Sequence, residues 1–184
     1  MSIDVYLAEA CRWFVLIALL AAAIGKSVHF HRFRESLDEG FQGLGRGSAA
    51  ILASLVLAGE WSAAALMLAE GGPSRVGLML SLVLFVLLTL VVVVVLARDL
   101  TVRCNCFGAG QQRISGFDLA RNLMFIAAAG IGLQGPSATG VTGALGGLPI
   151  MSSASIAIVA LMLFLLCIHL RDVAHLMQIR AQDL

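Results

Sequence analysis

Along this chain apolar residues come in long unbroken runs, not in the three-to-four-residue rhythm of an amphipathic helix or the alternation of a half-buried strand. The runs cover about residues 7–24, 48–69, 77–97, 116–133 and 153–170. Each is close to the ~20 residues a helix needs to cross ~30 Å of hydrocarbon. The pattern predicts an all-α polytopic membrane bundle of about five transmembrane helices, forming one domain over residues 1–184. The third run contains Val91 to Val95, and β-branched residues favour strands. In lipid, however, only a helix satisfies its own backbone without a partner strand, so this run is expected to be helical.

The intervening stretches are short and mostly polar. Residues 25–47 carry Lys26, His29, His31, Arg32, Arg34, Glu35, Asp38, Glu39 and Arg46, and are expected to form a surface loop with room for a short helix. Glu70-Gly71-Gly72-Pro73-Ser74 has the composition of a tight turn. Residues 98–115 form a polar loop closed by Ser115-Gly116-Phe117-Asp118, a capping box that opens the fourth helix. Residues 135–149 are rich in glycine and hold no charge, and 171–184 make a polar tail. The first run is not expected to be a signal peptide. Its only basic residue, Arg12, lies inside the apolar stretch and not before it.

Composition sharpens this picture. With 60% hydrophobic and 12% charged residues and a mean hydropathy of +0.97, the chain lies outside the range of soluble globular domains. Five spans leave no length for a soluble domain, so a soluble partner would be a separate chain. A net charge of +1 and the lack of a basic, aromatic patch give no reason to expect nucleic acid as a partner. Lysine and arginine concentrate in the first loop (Lys26, Arg32, Arg34, Arg46), the third (Arg98, Arg103, Arg113) and the tail (Arg171, Arg180), against Arg75 alone on the other side. Basic loops stay in the cytoplasm, which predicts an outside N-terminus and a cytoplasmic 98–115 loop.

Two of the four cysteines stand one residue apart in that loop, in Arg103-Cys104-Asn105-Cys106-Phe107-Gly108. A Cys-x-Cys disulfide closes a small strained ring, and strained disulfides are more oxidising than relaxed structural ones. Cationic neighbours lower a thiol's pKa and raise its thiolate fraction, a role open to Arg103 and Arg121. Cys104 and Cys106 are therefore candidate redox residues. Two other readings stay open: small loop residues without a role, or two thiolates completed by His29 and His31 as a tetrahedral zinc or copper site. Cys11 and Cys167 lie within apolar runs as small core residues. Cys167, near the end of the fifth helix that faces the cysteine loop, could also act as a resolving thiol.

Charge within the membrane is costly, by about 3 kcal/mol per residue on insertion scales, and needs a partner. Arg12 and Glu60 fall at similar depth when counted from the outer ends of helices 1 and 2, which predicts an ion pair between them. Such a pair would lock the bundle or take part in proton or quinone handling. No cofactor is indicated beyond that quinone option. His169 and His175 are expected at the interface.

Gly25-Lys26, Gly59-Glu60, Cys104-Asn105-Cys106-Phe107-Gly108, Ile114-Ser115 and Arg121-Asn122 together give the chain a family likeness. It resembles the methylamine utilisation protein MauE family, related to DoxX-like membrane proteins. The resemblance covers essentially the whole chain. It implies a multi-pass protein of the bacterial inner membrane needed to make methylamine dehydrogenase, through processing, transport or disulfide formation of its periplasmic beta subunit. A thioredoxin-like MauD-type protein would be the expected co-worker. In that frame Cys104 and Cys106 would carry the exchange, with Arg103, Arg121, Asn122, Glu60 and Arg12 in support. A periplasmic client and a cytoplasmic cysteine loop are reconciled if redox equivalents cross the membrane, or if the loop arginines serve the site and not the topology.

Overall fold

The computed structural model describes residues 3–40, 46–69, 72–98, 116–135 and 150–168, all of them in helices or at helix ends. The helices are α1 (Ile3–Val28), α2 (Phe30–Gly40), α3 (Arg46–Leu68), α4 (Gly72–Ala97), α5 (Gly116–Gln134) and α6 (Ile150–Ile168). Among the described residues four segments are long and apolar enough to cross a membrane: Tyr6–Val28, Gly47–Leu68, Gly72–Ala97 and Gly116–Gln134. The protein is an all-α polytopic membrane bundle. α6 is apolar as well and packs along α1.

What faces inward distinguishes this bundle from a soluble one. On α4 the buried positions include Ser74, Gly77, Ser81 and Thr89, whereas Val76, Met79, Val83, Val86, Leu87, Leu90, Val93 and Val94 are exposed. Lipid tails are as apolar as leucine, so helix association depends on close backbone approach, and small residues collect between helices. Two of these inward hydroxyls are satisfied within their own helix: Ser81 Oγ donates to the Gly77 carbonyl at 2.7 Å and Thr89 Oγ1 to the Phe85 carbonyl at 2.6 Å.

Gly77 marks a close crossing of α3 and α4. A Cβ there would sit 2.6 Å from the Met67 amide nitrogen and 2.8 Å from the Ala63 carbonyl oxygen, against backbone that cannot turn aside. Gly77→Ala is expected to push α3 and α4 apart and destabilise the bundle by about 1–3 kcal/mol. Thermal unfolding in detergent should read this as a lowered midpoint, whereas Gly130→Ala, which meets nothing within 4 Å, should not change it.

The core is a run of aromatic contacts through Phe125, which is fully buried. Its ring lies 5.4 Å from Phe14 of α1 and 5.2 Å from Phe85 of α4, and Phe14 in turn meets Phe164 of α6 at 6.5 Å. About two turns further along α5, Gly132 lies against Leu78 and Arg12. α5 therefore runs antiparallel to α1 and α4. Gly59 against Leu84 and Gly77 against Ala63 set α3 antiparallel to α4 in the same way. The end of α4 and the start of α5 thus share one end of the bundle.

The first polar stretch departs from expectation. Residues 25–28 continue α1, and after a one-residue interruption at His29 the chain is helical again to Gly40. The break is slight, since His29 N–H still donates to the Gly25 carbonyl and Phe33 N–H to the His29 carbonyl, both at 3.1 Å. α2 packs along α3, with Phe33 buried and His31, Arg32, Glu35 and Glu39 exposed. The turn expected at residues 70–74 is also partly helical. Pro73 stands in the first turn of α4, where its fixed φ suits a helix and its missing N–H removes no bond.

Candidate functional site

Inside the α1–α3 contact lies a charge pair that departs from the depth count. Glu60 accepts a hydrogen bond from Lys26 Nζ through Oε1, and not from Arg12. Both side chains are almost wholly buried, at 1% and 2% relative exposure. The Phe33 ring of α2 covers the ammonium at 5.5 Å from its centroid, supplying a cation–π contact. One residue further on each helix, Trp61 Nε1 donates to Ser27 Oγ at 3.3 Å, and that hydroxyl donates to the Ala23 carbonyl at 2.7 Å. Glu60 Oε2 is buried and has no hydrogen-bond partner among the described residues. At ~1.5 Å per residue Glu60 lies ~12 Å from the Leu68 end of its span and ~20 Å from the Gly47 end, so the pair is well inside the apolar segment.

Arg12 belongs to the other end. Its guanidinium donates to Ser74 Oγ and lies 3.5 Å from Glu9 Oε2, one turn earlier on α1. Ser74 Oγ donates to the Met67 carbonyl at 3.4 Å, and Arg75 donates to the Leu133 carbonyl at 3.3 Å. Arg12 therefore braces the α3–α4 turn against α1. The depth count failed because α1 begins and ends beyond its apolar run: Lys26, assigned to the loop by its charge, stands level with Glu60.

Around the first turns of α5 a second polar group gathers. Arg121 donates to Asp118 Oδ1 at 3.0 Å, and Asn122 beside it is buried. Arg121 lies within electrostatic reach of the buried Cys167 thiol on α6 and of Lys26 on α1. Of the expected site residues, Arg121 and Cys167 thus lie within electrostatic range of each other, and Arg121 within range of Lys26, the partner of Glu60. Cys11 is a free thiol, half-buried on α1. Arg103, Cys104 and Cys106 lie outside the described residues. So does the completion of any His29/His31 metal site by these thiols. His31 itself is exposed, with Nδ1 3.2 Å from Glu35 Oε1. Among the described residues no group of three or more His, Cys, Asp or Glu side chains is placed to hold a metal ion.

Sequence reasoning missed Lys26, Phe33 and Ser74. The signal for the first two was present. Val15, Leu19, Ala22 and Ala23 are buried at helical spacing, and Lys26 and Phe33 continue that stripe. A charge on the inward line of a continuing helix calls for a partner, not for a loop.

The family model described as "Methylamine utilisation protein MauE" matches residues 4–135, which include Lys26, Glu60, the Cys-x-Cys segment and Arg121. The chain belongs to the MauE family. The match takes in α1 to α5, while α6 lies beyond it. No curated protein and no solved structure matches the chain. Membership ties this multi-pass membrane protein to methylamine utilisation.

Proposed function

We propose that this MauE-family protein is an inner-membrane maturation factor for methylamine dehydrogenase. It supports processing, transport or disulfide formation of the periplasmic beta subunit through thiol–disulfide exchange at Cys104 and Cys106. The observation that carries the reading is the family match, which encloses the Cys-x-Cys pair together with the helices that flank it. Arg121 and the buried Cys167 thiol lie at the end of the bundle from which that segment departs, which supports a redox reading.

The exchange is balanced with a thioredoxin-like MauD-type partner. A partner thiolate attacks one sulfur of the Cys104–Cys106 disulfide, that S–S bond breaks and a mixed disulfide forms. The partner's second thiol then resolves it. The products are a partner disulfide and two MauE-family thiols, so two electrons and two protons have moved to the loop. The reverse sequence oxidises a dithiol. Arg103 and Arg121 favour the thiolate forms, and in the reverse direction a mixed disulfide between one loop cysteine and the partner is resolved by the other loop cysteine or by the Cys167 thiol, which becomes half of the new disulfide as the partner thiol leaves.

The test is to trap the redox state of Cys104 and Cys106 in intact cells with a membrane-impermeant thiol reagent, with and without the thioredoxin-like partner. A pair that is oxidised in one background and reduced in the other is the expected result, and the labelling also reports the side of the membrane. A pair that stays reduced in both backgrounds would leave a non-catalytic scaffold or transporter for the subunit or a small solute. That second reading draws on how much of the bundle is devoted to close helix packing around Gly77 and Gly132.

A further inference from the structure

We propose that Glu60 is a proton-binding site within the membrane span, with Lys26 as its fixed counter-charge and α2 as the cover that controls access to it. This goes beyond thiol exchange and does not depend on it. The geometry divides the carboxyl group in two. Oε1 is taken by Lys26 Nζ, while Oε2 is buried and without a hydrogen-bond partner among the described residues. A carboxylate oxygen stripped of water and given no donor is costly, and it is the atom at which a proton can be added without breaking an existing bond. Protonation there forms an O–H bond at Oε2 and leaves the Lys26 ammonium donating to Oε1. The proton comes from water, which is left as hydroxide or resupplied by buffer, and returns to it on release.

The surroundings suit a site that changes charge by one. Lys26 keeps a second stabilising contact, the face of Phe33, when the carboxylate charge is lost. Among the described residues the charged and titratable groups near the pair are few. α5 contributes Arg121, paired with Asp118, and α6 contributes Cys167 beside Arg121. The α1–α2 junction contributes His29, and α4 brings only uncharged polar groups such as Thr89 to its buried face. Ion pairs that only lock helices together have no need of a free, buried acceptor atom. α2 is the element assigned to cover the site, because its buried Phe33 lies over the Lys26 ammonium while His31, Arg32, Glu35 and Glu39 of the same helix are exposed.

Infrared difference spectroscopy of the full-length protein in lipid vesicles, titrated between about pH 5 and 9, tests this directly. With the glutamates carbon-13 labelled, the expected result is a protonated-carboxyl stretch that grows on acidification. It should shift in Glu60→Asp, which keeps the charge, and in Lys26→Arg, which keeps the pair but alters the bond to Oε1. Spectra in which no carboxyl band responds to either substitution overturn the proposal and leave the pair as a fixed lock. Phe33→Ala should speed the deuterium shift of the same band on transfer to heavy water several-fold, and an unchanged rate overturns the role of α2 as its cover.

Discussion

Glu60→Leu and Lys26→Met should each sharply reduce the amount of folded protein, whereas the two substitutions combined should restore much of it. In the native bundle the two charges are buried against each other, at 1% and 2% exposure. Removing one leaves the other in a medium of low dielectric, which in buried pairs costs about 3–5 kcal/mol. That is a large share of the roughly 5–15 kcal/mol by which a folded domain is stable. Replacing both removes the desolvation cost along with the attraction, and is commonly neutral or stabilising. Arg12→Met should do far less, because Ser74 Oγ retains the Met67 carbonyl as its acceptor and Glu9 stands at the partly exposed end of α1. The amount of monodisperse protein extracted in mild detergent decides the matter. If the losses of the two single substitutions simply add in the double variant, Lys26 and Glu60 do not interact and the α1–α3 packing described above is wrong.

The fold class was legible because the bilayer simplifies the problem. A run of some twenty apolar residues has one structural answer in hydrocarbon, and Val91 to Val95 obeyed it against their own strand preference. The pairing inside the bundle was harder. The principle that Glu60 needs a partner was sound, but depth counting supplied Arg12, because it assumed that a helix ends where its apolar run ends. α1 instead runs through Lys26 to Val28 and is carried on almost without a break by α2. A polar residue can belong to a span when its charge is met inside, and hydropathy alone treats it as the start of a loop. Small residues gave a similar lesson. Ser74 looks like part of a turn after Glu70, yet it is the acceptor that holds Arg12. Its role depends on the α3–α4 crossing angle, for which the local sequence carries no signal.

Cys104 and Cys106 lie outside the described residues, and the redox role proposed for them rests on two thiols standing one residue apart in the sequence. Cys104→Ser and Cys106→Ser, singly or together, are therefore expected to abolish maturation of methylamine dehydrogenase while the membrane protein accumulates at its normal level. Dehydrogenase activity in the periplasmic fraction and immunoblots of the membrane fraction separate the two readouts. Serine cannot form a disulfide, so either single substitution removes the whole two-electron exchange and not half of it, and the double variant should be no worse than a single one. The single variants carry a further expectation. Each leaves one thiol able to form a mixed disulfide that its missing neighbour can no longer release, so a covalent adduct with a thioredoxin-like partner should accumulate in one of them and disappear on reduction. Cys167→Ser should lower activity only if Cys167 resolves that adduct. Should the double variant mature the dehydrogenase normally, the redox reading fails and the bundle acts on its client as a scaffold or transporter. If activity is lost but purified wild-type protein holds stoichiometric zinc or copper that His29→Ala depletes, the thiols serve as metal ligands instead. A metal-free preparation that still exchanges disulfides excludes that outcome.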